Sequence, residues 1–361
     1  LGFSRSALAL LFFEPSTMNK LHYLSLSFVI VLASACSDGP GEATVSMADG
    51  IQTVTAFAET EPVPDDDDAA DDPYIMVTDQ GKTIVAGTNK RRGVELYTLQ
   101  GERIASIDSG RVNNIDGIYD TQSQSFRIAG SNRTNTQVDI YQVTIEPVSI
   151  SLTTSFDLPL REPYGLCVSP DYIYVGDKEG TVQAWTWDGQ GPVRSFDFKS
   201  QTEGCVVDTR NNDLYVGEEM AGIWRVDLDG DAPDILFAAT DDQNLVGDVE
   251  GLDIYYGEER AVLLASSQGD SSYLAYDIEN AEQLAKFAIA STSDNSIDGT
   301  QDTDGIAISS AAIPNHPKGL LVVQDGFNVD DREKALNQNF KLIDWRDVEK
   351  LFSRAATPNQ E

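Results

Sequence analysis

The chain has 361 residues, 41% of them hydrophobic, and 59 acidic against 25 basic side chains give a formal net charge of −34. That apolar content suffices for a large core and argues against disorder of the bulk, in a length that one all-β domain can fill. Repulsion of this size disfavours nucleic acid and anionic membranes as partners, and also an anionic substrate unless cations neutralise the carboxylates. The two histidines leave little room for imidazole chemistry: His22 lies in an apparent targeting segment, and His316, in Pro314-Asn315-His316-Pro317, reads as a solvated loop residue. Cys36, Cys167 and Cys205 fit neither a zinc spacing nor a disulfide framework.

Residues 1–17 precede a start at Met18 and read as an upstream extension. Met18-Asn19-Lys20 followed by the apolar run Leu24 to Ala35 reads as a signal peptide spanning 18–36. Its end, Leu32-Ala33-Ser34-Ala35-Cys36-Ser37, resembles a bacterial lipoprotein cleavage site with the leucine one position early. The expectation is export, with lipidation of Cys36 or ordinary cleavage near Ala35. The product would be a periplasmic or outer-membrane lipoprotein, or a secreted protein. Residues 37–50 read as a flexible tether and 51–361 as a single domain. Asp65 to Asp68 reads as a solvated acidic loop, since adjacent carboxylates repel. Asp71 and Asp72 instead abut Pro73, which favours an extended backbone at Asp72 and entry into a strand.

From there one pattern recurs six times: an apolar strand ending in Gly, Ser or Gln and followed by polar residues. The copies are Thr83 to Gly87, Phe126 to Gly130, Tyr172 to Gly176, Leu214 to Gly217, Val262 to Ser266 and Leu320 to Gln324. Each has an apolar strand before it and another after it; the later ones are Val94 to Leu99, Val138 to Val143, Val182 to Trp187, Ile223 to Leu228, Tyr273 to Ile278 and Phe340 to Trp345. The copies lie about 41 to 58 residues apart, against roughly 40 to 50 for propeller blades. The expected fold is all-β, a six-bladed β-propeller with four-stranded antiparallel blades. Gln52 to Ala58 is a strand out of phase that could close the ring by joining the last blade. Trp185, Trp187, Trp224 and Trp345 fall in or near third strands and read as blade packing. Cys167 and Cys205 fall in the first strands of neighbouring blades with registers one residue apart, so they should face opposite sides and stay buried thiols.

The first strand of each blade begins with acidic or polar residues: Asp71-Asp72, Asn113-Asn114-Ile115-Asp116, Glu162-Pro163-Tyr164, Glu203-Gly204, Asp248-Val249-Glu250 and Asp302-Thr303-Asp304. In antiparallel neighbours the start of strand one and the end of strand two share an edge. These motifs should therefore crowd one face with Lys90, Arg133, Lys178 and Tyr164. Asp, Glu, Asn and loop carbonyls are calcium ligands; zinc or copper would call for His or Cys, and magnesium prefers to keep its waters. Cations held there would make a site for a polyanion. Any single motif is also an ordinary tight turn, because turns enrich Asp, Asn and Gly; the argument rests on their shared phase.

At these residues the chain resembles the β-propeller phytases, calcium-dependent phosphatases acting on myo-inositol hexakisphosphate. The matching motifs run from about Thr60 to Trp345 and include Ala70-Asp-Asp-Pro73, Thr88-Asn-Lys90, Ser131-Asn-Arg133, Lys178-Glu-Gly180, Ser200-Gln-Thr-Glu-Gly204, Asp298-Gly-Thr-Gln-Asp-Thr-Asp-Gly305 and Gln324-Asp-Gly326. The resemblance implies a 3-phytase type of phosphoric monoester hydrolase that binds several Ca2+ ions. Phytate, as its calcium complex, would be cleaved by direct attack of a calcium-activated water. It implies that Asp71, Asp72, Glu203, Glu218, Glu219, Asp248, Glu250 and Asp304 belong to the catalytic metal cluster. Asn113, Asn114 and Asp116 would line the site or ligate. Lys90, Arg133 and Lys178 would clamp phosphates, with Tyr164 lining the cleavage site. Asp298, Asp325 and Asn328 would form a tighter structural calcium site. Met220 and Phe327 stand where relatives carry acids, so an oxygen ligand is missing at each. The expected protein is a monomer, with no nucleic acid partner and membrane contact only through a lipid on Cys36. The alternatives are another calcium propeller hydrolase, of lactonase or phosphotriesterase type, and a lipid-anchored propeller that only binds.

Overall fold

The computed structural model describes residues 51–230 and 234–352. The expected extension, signal peptide, Cys36 and tether lie outside the described residues. The domain is a six-bladed β-propeller. Blades 1 to 4 are consecutive four-stranded antiparallel meanders beginning at Ala70, Val112, Pro163 and Thr202. The first strand of each blade is innermost: Ala70–Val77, Val112–Asp120, Pro163–Val168, Thr202–Asp208, Val249–Tyr256 and Ile306–Ser309. Each touches the next, and the sixth touches the first, so the ring closes.

Closure differs from the expectation for residues 52–58. Gln52–Thr55 pairs in parallel with Gln283–Ala290 as a fifth strand on blade 5. Only Ala58–Glu59 joins blade 6, antiparallel to Asn339–Asp344. The third strand of blade 6 also stops one residue early. Asp344 accepts a hydrogen bond from the Arg346 amide at 2.9 Å and so caps a helix, Trp345–Phe352, whose Trp345, Val348 and Leu351 face the core.

Alternation of side chains explains how the blades stack. On the second strand of blade 6, Leu321 and Val323 pack toward Leu264, Tyr273 and Phe287 of blade 5. Leu320 and Val322 pack toward Val85 and Tyr97 of blade 1. One strand thus supplies two interfaces, because successive residues point to opposite faces.

The same geometry corrects the reading of the cysteines. Cys167 and Cys205 form a disulfide, with Cα atoms 5.6 Å apart. Neighbouring blades lie face to face, so residues pointing to opposite faces of their own sheets point at each other across the seam. The one-residue offset in register, taken as a reason for separation, is what brings them together.

His316 is not a solvated residue. Its Nδ1 lies 2.7 Å from Asp344 and its ring stacks on Phe57 with centroids 4.3 Å apart. It sits in the loop between the first and second strands of blade 6, at the edge opposite the acidic motifs.

Trp345 is fully buried and stacks on Tyr255 at 4.1 Å between centroids. Trp345→Ala should cost about 3–5 kcal/mol, as for other large aromatic truncations in cores. Chemical denaturation would measure this, and an unmoved midpoint would contradict the packing role.

Candidate metal centre and phosphate-binding face

Acid next to glycine is how the inner strands approach one another. A Cβ on Gly165 would fall 1.8 Å from the carbonyl oxygen of Glu203, and one on Gly204 would fall 2.1 Å from that of Glu250. Each glycine thus lies directly against the acid-bearing backbone of the next blade. Larger residues would hold these strands apart and disperse the carboxylates they carry.

Two groups of side chains result. The carboxylate group is centred on Glu203, Glu219 and Glu250, which can bring one oxygen each to within 4.8 Å of the others. Burial, then repulsion from Glu250, holds the Glu203 carboxyl well above its ordinary range. Burial lifts Glu250 to about 8, and burial with the neighbouring Asp248 lifts Glu219 to about 7. Beside them Lys90 Nζ stands 3.2 Å from Asp304 and 3.6 Å from Asp71. Burial alone would lower the Lys90 pKa, but Asp71, Asp304 and Asp68 together raise it, so the ammonium stays charged. Asp304 also accepts a hydrogen bond from Gln268.

The cationic group lies on blades 2 and 3. The Arg133 guanidinium is 5.1 Å from the Tyr164 ring centroid and the Lys178 ammonium 4.2 Å. Arg133 donates to Glu162 and, at 2.9 Å, to Asn113 Oδ1. Asn113 Nδ2 donates to Glu203 at 2.9 Å and to Asn114 at 2.9 Å. Asn113 therefore connects the two groups, its carbonyl turned to the cation and its amide to the carboxylate.

Other residues of interest lie elsewhere. Asp72 accepts the Ile115 amide at 2.9 Å, and Asp116 accepts the Val168 amide at 2.8 Å and its own neighbour's at 2.7 Å. Both carboxylates reach the backbone of the following blade in the central channel. Asp253, which sequence reasoning did not single out, does the same to Ile308. Burial raises Asp116 to about 7 and Asp253 to about 8. Glu218 is buried away from the cluster and accepts from the Lys199 amide, the Ser200 hydroxyl and Trp224 Nε1 at 3.0, 2.7 and 2.9 Å. Asp248 is half-buried next to Glu219. Met220 is 66% exposed.

Asp298, Asp325 and Asn328 do come together, but around a residue of the chain itself. The Lys341 ammonium is fully buried, paired with Asp298 and Glu59, and lies 3.3 Å from Asp325 and 3.4 Å from Asn328. A calcium ion at that centre would have to displace an ammonium. Asp66, Asp67 and Asp68 are exposed, as expected of a solvated loop, and Asp65 is half-buried, though Asp65 and Asp68 are paired. Asp68 lies 2.6 Å from Lys90, and Asp65 pairs with Arg92 at 3.0 Å and accepts from Asn89 at 2.8 Å.

The main carboxylate group fits a hard cation. Both oxygens of Asp71 and one of Glu219 are buried without a hydrogen-bond partner, and burial, partly offset by Lys90, pushes Asp71 well above the carboxylate range. An all-oxygen set of this kind gains either a proton or a metal ion.

A family model described as Phytase matches residues 20–357. A protein described as 3-phytase, from Bacillus subtilis (strain 168), is 35% identical over 325 residues, which cover 82% of this chain and 84% of its own length.

Without a cation, Glu219 and Glu250 hold protons that the unfolded chain has already released above the ordinary Glu value of 4.5. The native state then binds more protons than the unfolded one, so stability falls as pH rises from about 4.5 through about 8. Thermal melts in chelator should show this decline, and a saturating hard cation should flatten it. A melting temperature in chelator that is level across this window would contradict the assignment.

Proposed function

The chain belongs to the phytase family and is a phosphoric monoester hydrolase of the 3-phytase type; we propose that it hydrolyses phytate, held as its calcium complex, to lower inositol phosphates and phosphate. The observation that carries the reading is the relay Glu203–Asn113–Arg133, which links the cationic side chains to the carboxylate group. A hexakisphosphate needs both: positive side chains for the outer phosphates, and a neutralised acidic floor.

Bound calcium would polarise phosphoryl oxygens and promote direct attack of water on phosphorus. The chain's own contribution is binding and orientation. Lys178 and Arg133, held over the Tyr164 ring, would donate charge-assisted hydrogen bonds to phosphate oxygens. Glu162 and Asn113 fix the plane of the guanidinium. Lys90 remains an ammonium between Asp68, Asp71 and Asp304 and limits the repulsion between them. Burial raises the Tyr164 phenol pKa, and the carboxylates around it add to that, so Tyr164 acts as a neutral wall and hydroxyl donor.

Export fits this picture. Structural disulfides form in oxidising compartments, so the Cys167–Cys205 bond supports the reading of 18–36 as a signal peptide. We extend the proposal to lipidation at Cys36 and to a monomeric enzyme.

Phosphate release from phytate should require calcium and stop with chelator; turnover that survives chelation would refute the calcium dependence. Lys178→Ala should lower kcat/KM by roughly 10- to 100-fold, the scale of one lost hydrogen bond to a charged group. Steady-state kinetics unchanged from wild type would remove Lys178 from the phosphate-binding wall.

A further inference from the structure

The six sheets share no backbone ladder with one another. The relative position of two inner strands therefore depends on packing between faces and on links across each seam. At three seams the link is a carboxylate reaching the next strand's amide: Asp72 to Ile115, Asp116 to Val168 and Asp253 to Ile308. At the seam between blades 3 and 4 it is covalent. Cys167 pairs with Tyr174 on its own sheet, and Asp253 pairs with Leu264. Tyr174 and Leu264 are each the third residue of the repeated second-strand pattern, so Cys167 occupies in blade 3 the place that Asp253 occupies in blade 5.

This seam divides the two halves of the site. Tyr164, three residues before Cys167, carries Arg133 and Lys178 over its ring. Glu203, two residues before Cys205, belongs to the carboxylate group with Glu219 and Glu250. At about 3.3 Å per residue, both lie within roughly 10 Å of the disulfide along the chain, beside the bulges between Pro163 and Leu166 and between Thr202 and Cys205. The strands are already in van der Waals contact at Gly165 and Glu203. Widening of this seam would carry Tyr164 and Lys178, on blade 3, away from Glu203 and Glu219, on blade 4.

We infer that the Cys167–Cys205 disulfide is a positioning brace for the reaction. It fixes Tyr164 and Lys178 of the phosphate-binding wall against Glu203 and Glu219 of the carboxylate group. The inference rests on the calcium and phytate reading above, and goes beyond it in giving a site role to a bond outside the site.

The test compares the full chain with its Cys167→Ser/Cys205→Ser variant. Calcium binding is measured by titration calorimetry without substrate, and phosphate release from phytate is measured over the same calcium series. The brace predicts a raised KM for phytate with a smaller change in kcat and an unchanged calcium midpoint, because Glu203, Glu219 and Glu250 lie on blades 4 and 5. A variant that melts at lower temperature but keeps the wild-type KM would overturn the proposal, leaving the bond a stabiliser only. If the serine pair does not fold, Cys167→Ala/Cys205→Val, which restores apolar packing, is put to the same two measurements. Wild-type protein without phytate turnover would refute the functional reading instead, and phytate binding measured by calorimetry at saturating calcium, weaker in the variant if the bond is a brace and unchanged if it is not, would then decide.

Discussion

Mutual repulsion among buried carboxylates is the constraint on which the rest of this molecule depends. Asp71, Glu203, Glu250 and Asp304 are each less than a tenth exposed, and they come from blades 1, 4, 5 and 6. No apolar protein interior tolerates such a set as bare anions. Something must neutralise them, and the choices are protons, the Lys90 ammonium or metal ions. The propeller makes the concentration possible, since each blade delivers only one or two acids. Sheets packed face to face with their neighbours bring the charges of four blades together.

Much of this was legible in the sequence because it repeats. A strand ending in Gly, Ser or Gln with a polar residue after it, six times over, sets the blade number, and the phase of the acidic motifs sets the edge where they meet. What was not legible depended on relations between blades. The disulfide was read away because register was compared within sheets, whereas the bond crosses a seam where opposite faces meet. Asp68 is 70% exposed, as a solvated loop implies, but only the fold reveals Lys90 beside it. Asp253 carried no signal at all: it stands inside an apolar strand, and its role depends on an amide one blade away. The helix at Trp345 could have been found, since Asp344 followed by Val348 and Leu351 is a cap with a helical apolar spacing, but the strand pattern ahead of it obscured the boundary.

Glu218 and Glu219 show how finely the structure divides neighbouring acids. The two are adjacent in sequence, at the end of one strand, and so turn to different sides. Glu218 is consumed by three hydrogen-bond donors and holds together the loop that follows blade 3. Glu219 keeps a buried oxygen without a partner and stands with Glu203 and Glu250. Asp298 and Asp325 make the same point with the opposite outcome, because Lys341 supplies their positive charge from within the chain.

The closure of blade 6 bears on when this protein can work. Its outer strand is Ala58–Glu59 and its other three strands end at Asp344, so residues almost 300 positions apart in the chain must meet to complete one sheet. Lys90 of blade 1 finds Asp304 of blade 6 only across that same junction. Blades 1 to 5 bring Glu203, Glu219 and Glu250 together without that junction, yet the Lys90 ammonium meets the acids of both blade 1 and blade 6 only as the ring shuts.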